Sequence, residues 1–299
     1  MIVSDRRGPG SGGNDKLGSP DRQNFLRRTA SAVVLAPLAL GAALVGGWVF
    51  AALCTVAAAA VLWEWSILVT GGPDRRILAP GLPALCAAAI AAQGGAAGIA
   101  CAAAALGALA AAGVTAAAPH VGHRSTGAMF WAAGGVVYAA IVLISPIILR
   151  SDPEMGFAAL AFLFATVWAT DIFAYFSGRG FGGPLLAPRL SPKKTWAGVV
   201  GGLAGGVVAG VLVAYASAGT QPAAAGVLAL ILSIAAQGGD LLESSVKRRF
   251  GAKDTSALIP GHGGVMDRVD GLLVAALIAV AIGALRFGAA ASARGLLLW

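Results

Sequence analysis

Residues 196–217 read WAGVVGGLAGGVVAGVLVAYAS, a run of 22 residues without a charge. About 20 consecutive apolar residues in a helix cross the hydrocarbon core of a bilayer. The run is therefore long enough to span a membrane, and it begins directly after the charged Ser191-Pro192-Lys193-Lys194-Thr195. The same pattern repeats in both directions along the chain. Of the 299 residues, 58% are hydrophobic and only 11% charged, with a mean hydropathy of +0.82. Soluble domains carry roughly 25% charged residues, so most of this chain cannot face water. The fold class is an all-α, polytopic transmembrane helical bundle of about nine spans, predicted at 27–45, 47–69, 78–93, 95–117, 127–149, 156–178, 196–217, 223–243 and 269–287. Alanine and glycine dominate these runs, and small residues let membrane helices approach closely.

Residues 1–24 are rich in Gly, Ser, Asp, Pro and Arg and are expected to be a disordered cytoplasmic tail. No cleavable signal peptide is expected. Residues 25–150 carry the first five spans and 151–299 the remaining four. With the N-terminus inside, 18 of the 21 Lys and Arg residues fall on the inner side; Arg150, Arg286 and Arg294 are the three outside. That bias predicts an N-in, C-out topology. It also accounts for the net charge of +8, so no nucleic-acid partner is expected. Cys54, Cys86 and Cys101 lie in apolar runs without ligand spacing and read as packing residues. His120 and His123 read as loop residues, and Glu64, between Trp63 and Trp65, as a structurally paired group beside an aromatic belt.

Carboxylates inside or at the edge of membrane spans are functional candidates by default. Glu64, Asp171, Asp240 and Glu243 are so placed, and Asp267 and Asp270 stand at the mouth of the ninth span. Spans six and eight end, and span nine begins, on the same predicted face. Asp240, Glu243, Ser244 and Lys247 fall at i, i+3, i+4 and i+7 of one helix, and Asp267 and Asp270 at i, i+3 of another. Carboxylates facing each other from two helices suit Mg²⁺, which binds through oxygen and bridges substrate phosphates. The bland alternative is that Asp267 and Asp270 only pair with Arg268 and Lys247.

Two loops on that face concentrate cations and glycines. One runs Lys247-Arg248-Arg249-Phe250-Gly251-Ala252-Lys253-Asp254 and on to Ile259-Pro260-Gly261-His262-Gly263-Gly264-Val265-Met266-Asp267-Arg268. The other carries Gly178, Arg179, Gly180, Gly182 and Gly183 and ends at Lys193 and Lys194, next to a helix N-terminus. Backbone N–H groups beside glycines can approach an anion, so the combination suits a triphosphate. Positive-inside charge alone would explain the cations but not the glycines or His262.

From Ser244 to Asp270 the chain reads SSVKRRFGAKDTSALIPGHGGVMDRVD. This resembles the C-terminal signature of the phosphatidate cytidylyltransferases, and Gly239-Asp240-Leu241-Leu242-Glu243-Ser244, Ser191–Trp196 and Asp171-Ile172-Phe173-Ala174-Tyr175 with Gly178-Arg179 are similar to that family too. The resemblance covers about residues 165–275; the first five spans fit by hydropathy only. One departure is Ala197, where family members often have Glu after the Trp.

The resemblance implies a catalytic region over 151–299 that converts CTP and phosphatidate to CDP-diacylglycerol and pyrophosphate. It implies catalytic roles for Asp240, Lys247, Asp267 and Asp270, with Asp240, Asp267 and Asp270 holding the metal. Lys193, Lys194, Ser244, Arg248, His262, Gly263, Gly264, Arg268 and Asp171 would contact substrate. The expected setting is a bacterial inner membrane with the site facing the cytoplasm, and the Gly/Ala-rich bundle is compatible with a homodimer. The competing readings are a CTP-dependent polyprenol or dolichol kinase, which would release CDP, and a transporter. The transporter predicts carboxylates at mid-membrane and related halves. The D-x-x-D-G…D…D pattern of CDP-alcohol phosphotransferases is absent.

Overall fold

The computed structural model describes residues 35–117, 127–252, 255–256 and 263–299. Helices dominate it: α1 (Leu35–Val45), α2 (Gly47–Thr70), α3 (Arg75–Gln93), α4 (Ala97–Ala117), α5 (Ala128–Arg150), α6 (Gly156–Phe181), α7 (Trp196–Ala218), α8 (Pro222–Arg249), α9 (Met266–Phe287) and the short α10 (Ser292–Leu297). Helices α2 to α9 are each long and apolar enough to cross a membrane, which accounts for eight of the predicted spans. The first, predicted over 27–45, is described only from Leu35, and the tail at 1–24 and His120 and His123 lie outside the described residues.

The start and stop positions follow local chemistry. Asp74 caps α3 by accepting from the Arg76 N–H, and Thr195 caps α7 by accepting from Gly198. Pro222 opens α8, where its missing N–H is no loss. Lys247, Arg248 and Arg249 occupy the last turn of α8, where cations favour the negative end of the helix dipole. Gly182 (φ 62°) and Gly183 (φ 93°) end α6 in a conformation that disfavours any side chain.

Helix α5 is buried along most of its length and packs against α2, α3 and α4 as well as α6 and α9. Helices α6 and α7 meet along Gly198, Gly202, Gly206 and Gly210, which recur every fourth residue and so share one face. A Cβ at Gly202 would press on the Thr170 carbonyl, so this seam depends on small residues. The outward surfaces are apolar, with Ile99 and Leu106 of α4 and Val208 and Leu212 of α7 exposed. Apolar surface of that extent suits lipid rather than water.

The bundle has two distinct ends. At one, Trp131 near the start of α5 packs edge-on against Phe250, just past α8, and Glu64 near the end of α2 reaches the start of α9. At the other, Arg150 at the end of α5 donates to the Ala43 and Leu44 carbonyls at the end of α1, and Arg294 pairs with the buried Asp152. The end of α2, the start of α5, the end of α8 and the start of α9 therefore share one end of the bundle, and the ends of α1 and α5 share the other.

The helical reading holds, and between α6 and α7 the chain forms a short antiparallel hairpin, β1 (Leu185–Ala187) with β2 (Ser191–Thr195): Pro184, Pro188 and Pro192 disfavour a helix there, and Thr195 turns the chain into α7. Two expectations are corrected. Of the cysteines only Cys54 packs in the core, whereas Cys86 and Cys101 face outward, since a thiol beside lipid needs no protein partner. Trp65 is no belt residue: it is buried, donates to the Trp131 carbonyl at 2.8 Å and sets its ring at a tilt against those of Trp131 and Tyr138.

Candidate active site

The hairpin and the ends of α6, α8 and α9 form the site. Helix α8 runs unbroken to Arg249, so Asp240, Glu243, Ser244 and Lys247 do share one helical face. Opposite them, α9 approaches α8 closely because Gly239 and Gly271 face the contact. A Cβ on Gly239 would collide with the Asp270 carbonyl, and one on Gly271 would press on the Ala236 carbonyl. This approach brings carboxylate oxygens of Asp240, Glu243 and Asp270 within 4.8 Å of one another.

Three like charges at that spacing repel strongly in a medium that screens poorly. Two lysines offset them. Lys194, from β2, pairs with Asp240. Lys247 lies 2.7 Å from Glu243 Oε2 and 2.8 Å from Asp267 Oδ1. The second oxygen of Asp267 accepts from the Gly264 N–H at 2.9 Å and from Thr255 Oγ1 at 3.0 Å. Both Asp267 oxygens are thus engaged with protein donors, and among the described residues the carboxylates grouped closely enough to hold a cation are Asp240, Glu243 and Asp270. Glu243 Oε1 is buried with no hydrogen-bond partner among the described residues. An all-oxygen donor set with one such unfilled oxygen fits a hard divalent cation.

Lys193, Ser244, Lys247 and Arg248 line one cavity of about 250 Å³ together with Leu190, Ser191 and Pro192. Arg248 also donates to the Leu190 and Ala252 carbonyls, which ties the hairpin to the end of α8. Asp171 is exposed on α6 and lies in the electrostatic field of Asp240, Lys194 and Arg268. One and two turns further along the same face stand Tyr175 and Arg179, joined at 3.2 Å. Gly263 and Gly264 precede α9, and Arg268 is exposed in its first turn. His262, Lys253 and Asp254 lie outside the described residues. The remaining candidate residues come together at one end of the bundle from segments far apart in sequence.

Three polar residues near the candidate site are not assigned to it from sequence. Glu243 was legible as a helix-face neighbour of Asp240. Glu64, read as a quiet structural group, contacts the segment leading into α9. Tyr138 of α5 gave no signal, being one tyrosine in an apolar span. Its hydroxyl is buried without a hydrogen-bond partner among the described residues, within the field of Asp240, Glu243, Asp267 and Asp270.

The sequence model described as the cytidylyltransferase family matches residues 26–285. Over 155 residues the chain is 52% identical to a phosphatidate cytidylyltransferase of Brucella abortus, covering 52% of this chain and 57% of that protein. Proteins of the same name from Haemophilus influenzae and Mycobacterium leprae are 46% and 39% identical over 129 and 127 residues, covering 42% of this chain in each case and 45% and 41% of those proteins. The chain thus aligns with about half the length of the curated relatives it matches.

Proposed function

We propose that this chain, which belongs to the cytidylyltransferase family, is a phosphatidate cytidylyltransferase that makes CDP-diacylglycerol and pyrophosphate from CTP and phosphatidate. The observation that carries the reading is the meeting of cations and carboxylates at one end of an apolar bundle: Lys193, Lys247 and Arg248 around one cavity, beside Asp240, Glu243 and Asp270. A water-soluble triphosphate and a lipid headgroup can both reach such a place, while the acyl chains stay in the bilayer.

In the proposed reaction an oxygen of the lipid phosphate forms a bond to the α-phosphorus of CTP, and the bond to the bridging oxygen breaks, releasing pyrophosphate. Negative charge concentrates on the attacking and leaving oxygens. Lys193, Lys247 and Arg248 line the cavity where they would bind those phosphates, with Ser244 as a hydroxyl donor. Lys194, paired with Asp240, would hold that carboxylate in place. Asp240, Glu243 and Asp270 would hold the divalent cation, Mg²⁺ in this proposal, which when bound would neutralise phosphate charge. Asp267 would act through Lys247, orienting its ammonium.

The predicted bias of 18 of the 21 Lys and Arg residues to one side supports a site facing the cytoplasm of a bacterial inner membrane, where CTP is supplied. A homodimer and a catalytic region over 151–299 are further parts of the proposal. The deciding experiment is incubation of the purified protein with CTP, phosphatidate and Mg²⁺. CDP-lipid and pyrophosphate are the expected products. CDP with a newly phosphorylated lipid alcohol would establish a kinase instead, and no nucleotide turnover would overturn the reading.

A further inference from the structure

Glu64 sits on α2, outside the stretch that carries the C-terminal signature, and is fully buried. A buried carboxylate needs compensation. Among the described residues its partners are N–H and O–H donors, with no Lys or Arg. Oε1 accepts from Ser256 Oγ at 2.6 Å and from the Val265 N–H at 2.9 Å. Oε2 accepts from the Met266 N–H at 2.7 Å and, more weakly, from Thr255 Oγ1 at 3.5 Å. These donors lie on both sides of the signature loop, at 255–256 and at 265–266.

Helix α9 explains why a carboxylate is needed. The first N–H groups of a helix have no partner within it, and Val265, which precedes α9, has no side chain able to cap. Glu64 supplies that cap from another helix, and its charge favours the positive end of the helix dipole. Space for it exists because residue 264 is glycine: a Cβ there would collide with Thr255 Oγ1 and the Glu64 carboxylate. Thr255 also bonds Asp267, which bonds Lys247, which bonds Glu243. A continuous chain of contacts thus runs from α2 to the carboxylate cluster.

We propose that Glu64 is a positioning residue: a buried clasp from the N-terminal half that fixes residues 255–256 and 264–266 at the entrance of α9, and through Thr255 and Asp267 sets the place of Lys247. The role rests on the cytidylyltransferase reading, but the clasp itself does not. Glutamine keeps the size of the side chain yet presents an amide NH₂ to donors that need an acceptor.

The test uses the full chain in detergent as wild type, Glu64→Gln and Ser256→Ala, the last removing one donor and leaving Glu64 in place. Hydrogen exchange is followed at residues 263–268 and, as a control, in α3 and α4. In Glu64→Gln, exchange at 263–268 should rise about tenfold or more while the control stays unchanged, as for local opening. In the same variant KM for CTP should rise about tenfold and that for phosphatidate stay within about twofold, whereas a smaller folded fraction would lower only the maximal rate. Ser256→Ala should shift exchange and KM for CTP in the same direction by less. Unchanged exchange at 263–268 in both variants overturns the clasp, whatever the activity. Faster exchange with unchanged KM and kcat leaves a helix cap and overturns the positioning role. A wild-type protein that makes no CDP-lipid would sink the assigned activity, while the exchange result would still decide the clasp.

Discussion

Lys247 Nζ lies 2.8 Å from Asp267 Oδ1, and the contact joins the last turn of α8 to the first turn of α9. The same ammonium touches Glu243 at 2.7 Å, so one cation holds two carboxylates that would otherwise repel. All three side chains are largely shielded from solvent. Lys247→Met should therefore do more than remove the proposed phosphate contact. Leaving buried charge unpaired is expected to destabilise the protein by about 3 kcal/mol and lower turnover about 100-fold or more. Thermal unfolding in detergent and CDP-lipid formation measure the two effects. A stable variant with near wild-type turnover would remove Lys247 from the site.

Asp267 and Asp270 should separate by their metal dependence. Asp270 belongs to the cluster that could hold a cation, whereas Asp267 is engaged by Lys247, Gly264 and Thr255. Excess EDTA should abolish wild-type activity. Asp270→Asn should raise the Mg²⁺ concentration for half-maximal rate, as should Glu243→Gln. Asp267→Asn should lower kcat by about 10² to 10³ without that shift. A Mg²⁺ titration of each variant checks this, and an equal shift in Asp267→Asn would return that residue to the metal set.

Gly239 should tolerate nothing larger than hydrogen. An added methyl would meet the Asp270 carbonyl and push α9 from α8. Overpacking of a tight contact costs about 1–3 kcal/mol. Here it would also separate Asp240 from Asp270, so Gly239→Ala should show weakened Mg²⁺ activation along with a lower Tm. Gly238, with open space around it, is the control: Gly238→Ala should leave both nearly unchanged.

The two ends of the bundle should be reachable from opposite sides of the membrane. A cysteine at Arg189, on the hairpin, should react with an impermeant maleimide only in opened or inverted vesicles. One at Glu154, next to the Arg150 and Asp152 end, should react in intact cells. Both positions are exposed, so access to solvent on the correct side is the only barrier. Labelling of Arg189→Cys from outside would reverse the orientation.

The sequence by itself determined the membrane bundle, because a run such as 196–217 has too few polar groups to be stable in water and enough length to cross a bilayer. It also determined which charged residues share a helix face, since the spacing of Asp240, Glu243 and Lys247 is a property of one helix and needs no partner. What it could not determine was which carboxylates meet across helices. Asp267 and Asp270 lie one turn apart on α9, yet one turns to Lys247 and the other to Asp240 and Glu243, because Gly239 and Gly271 set the depth at which α8 and α9 cross. Glu64 and Tyr138 were out of reach for the same reason. Each is one polar residue in an apolar span, and its meaning comes only from donors and charges that other helices bring to it. Periodicity is local and can be read along the chain; the pairing of buried charge is set by how closely distant helices pack, and only the tertiary structure decides it.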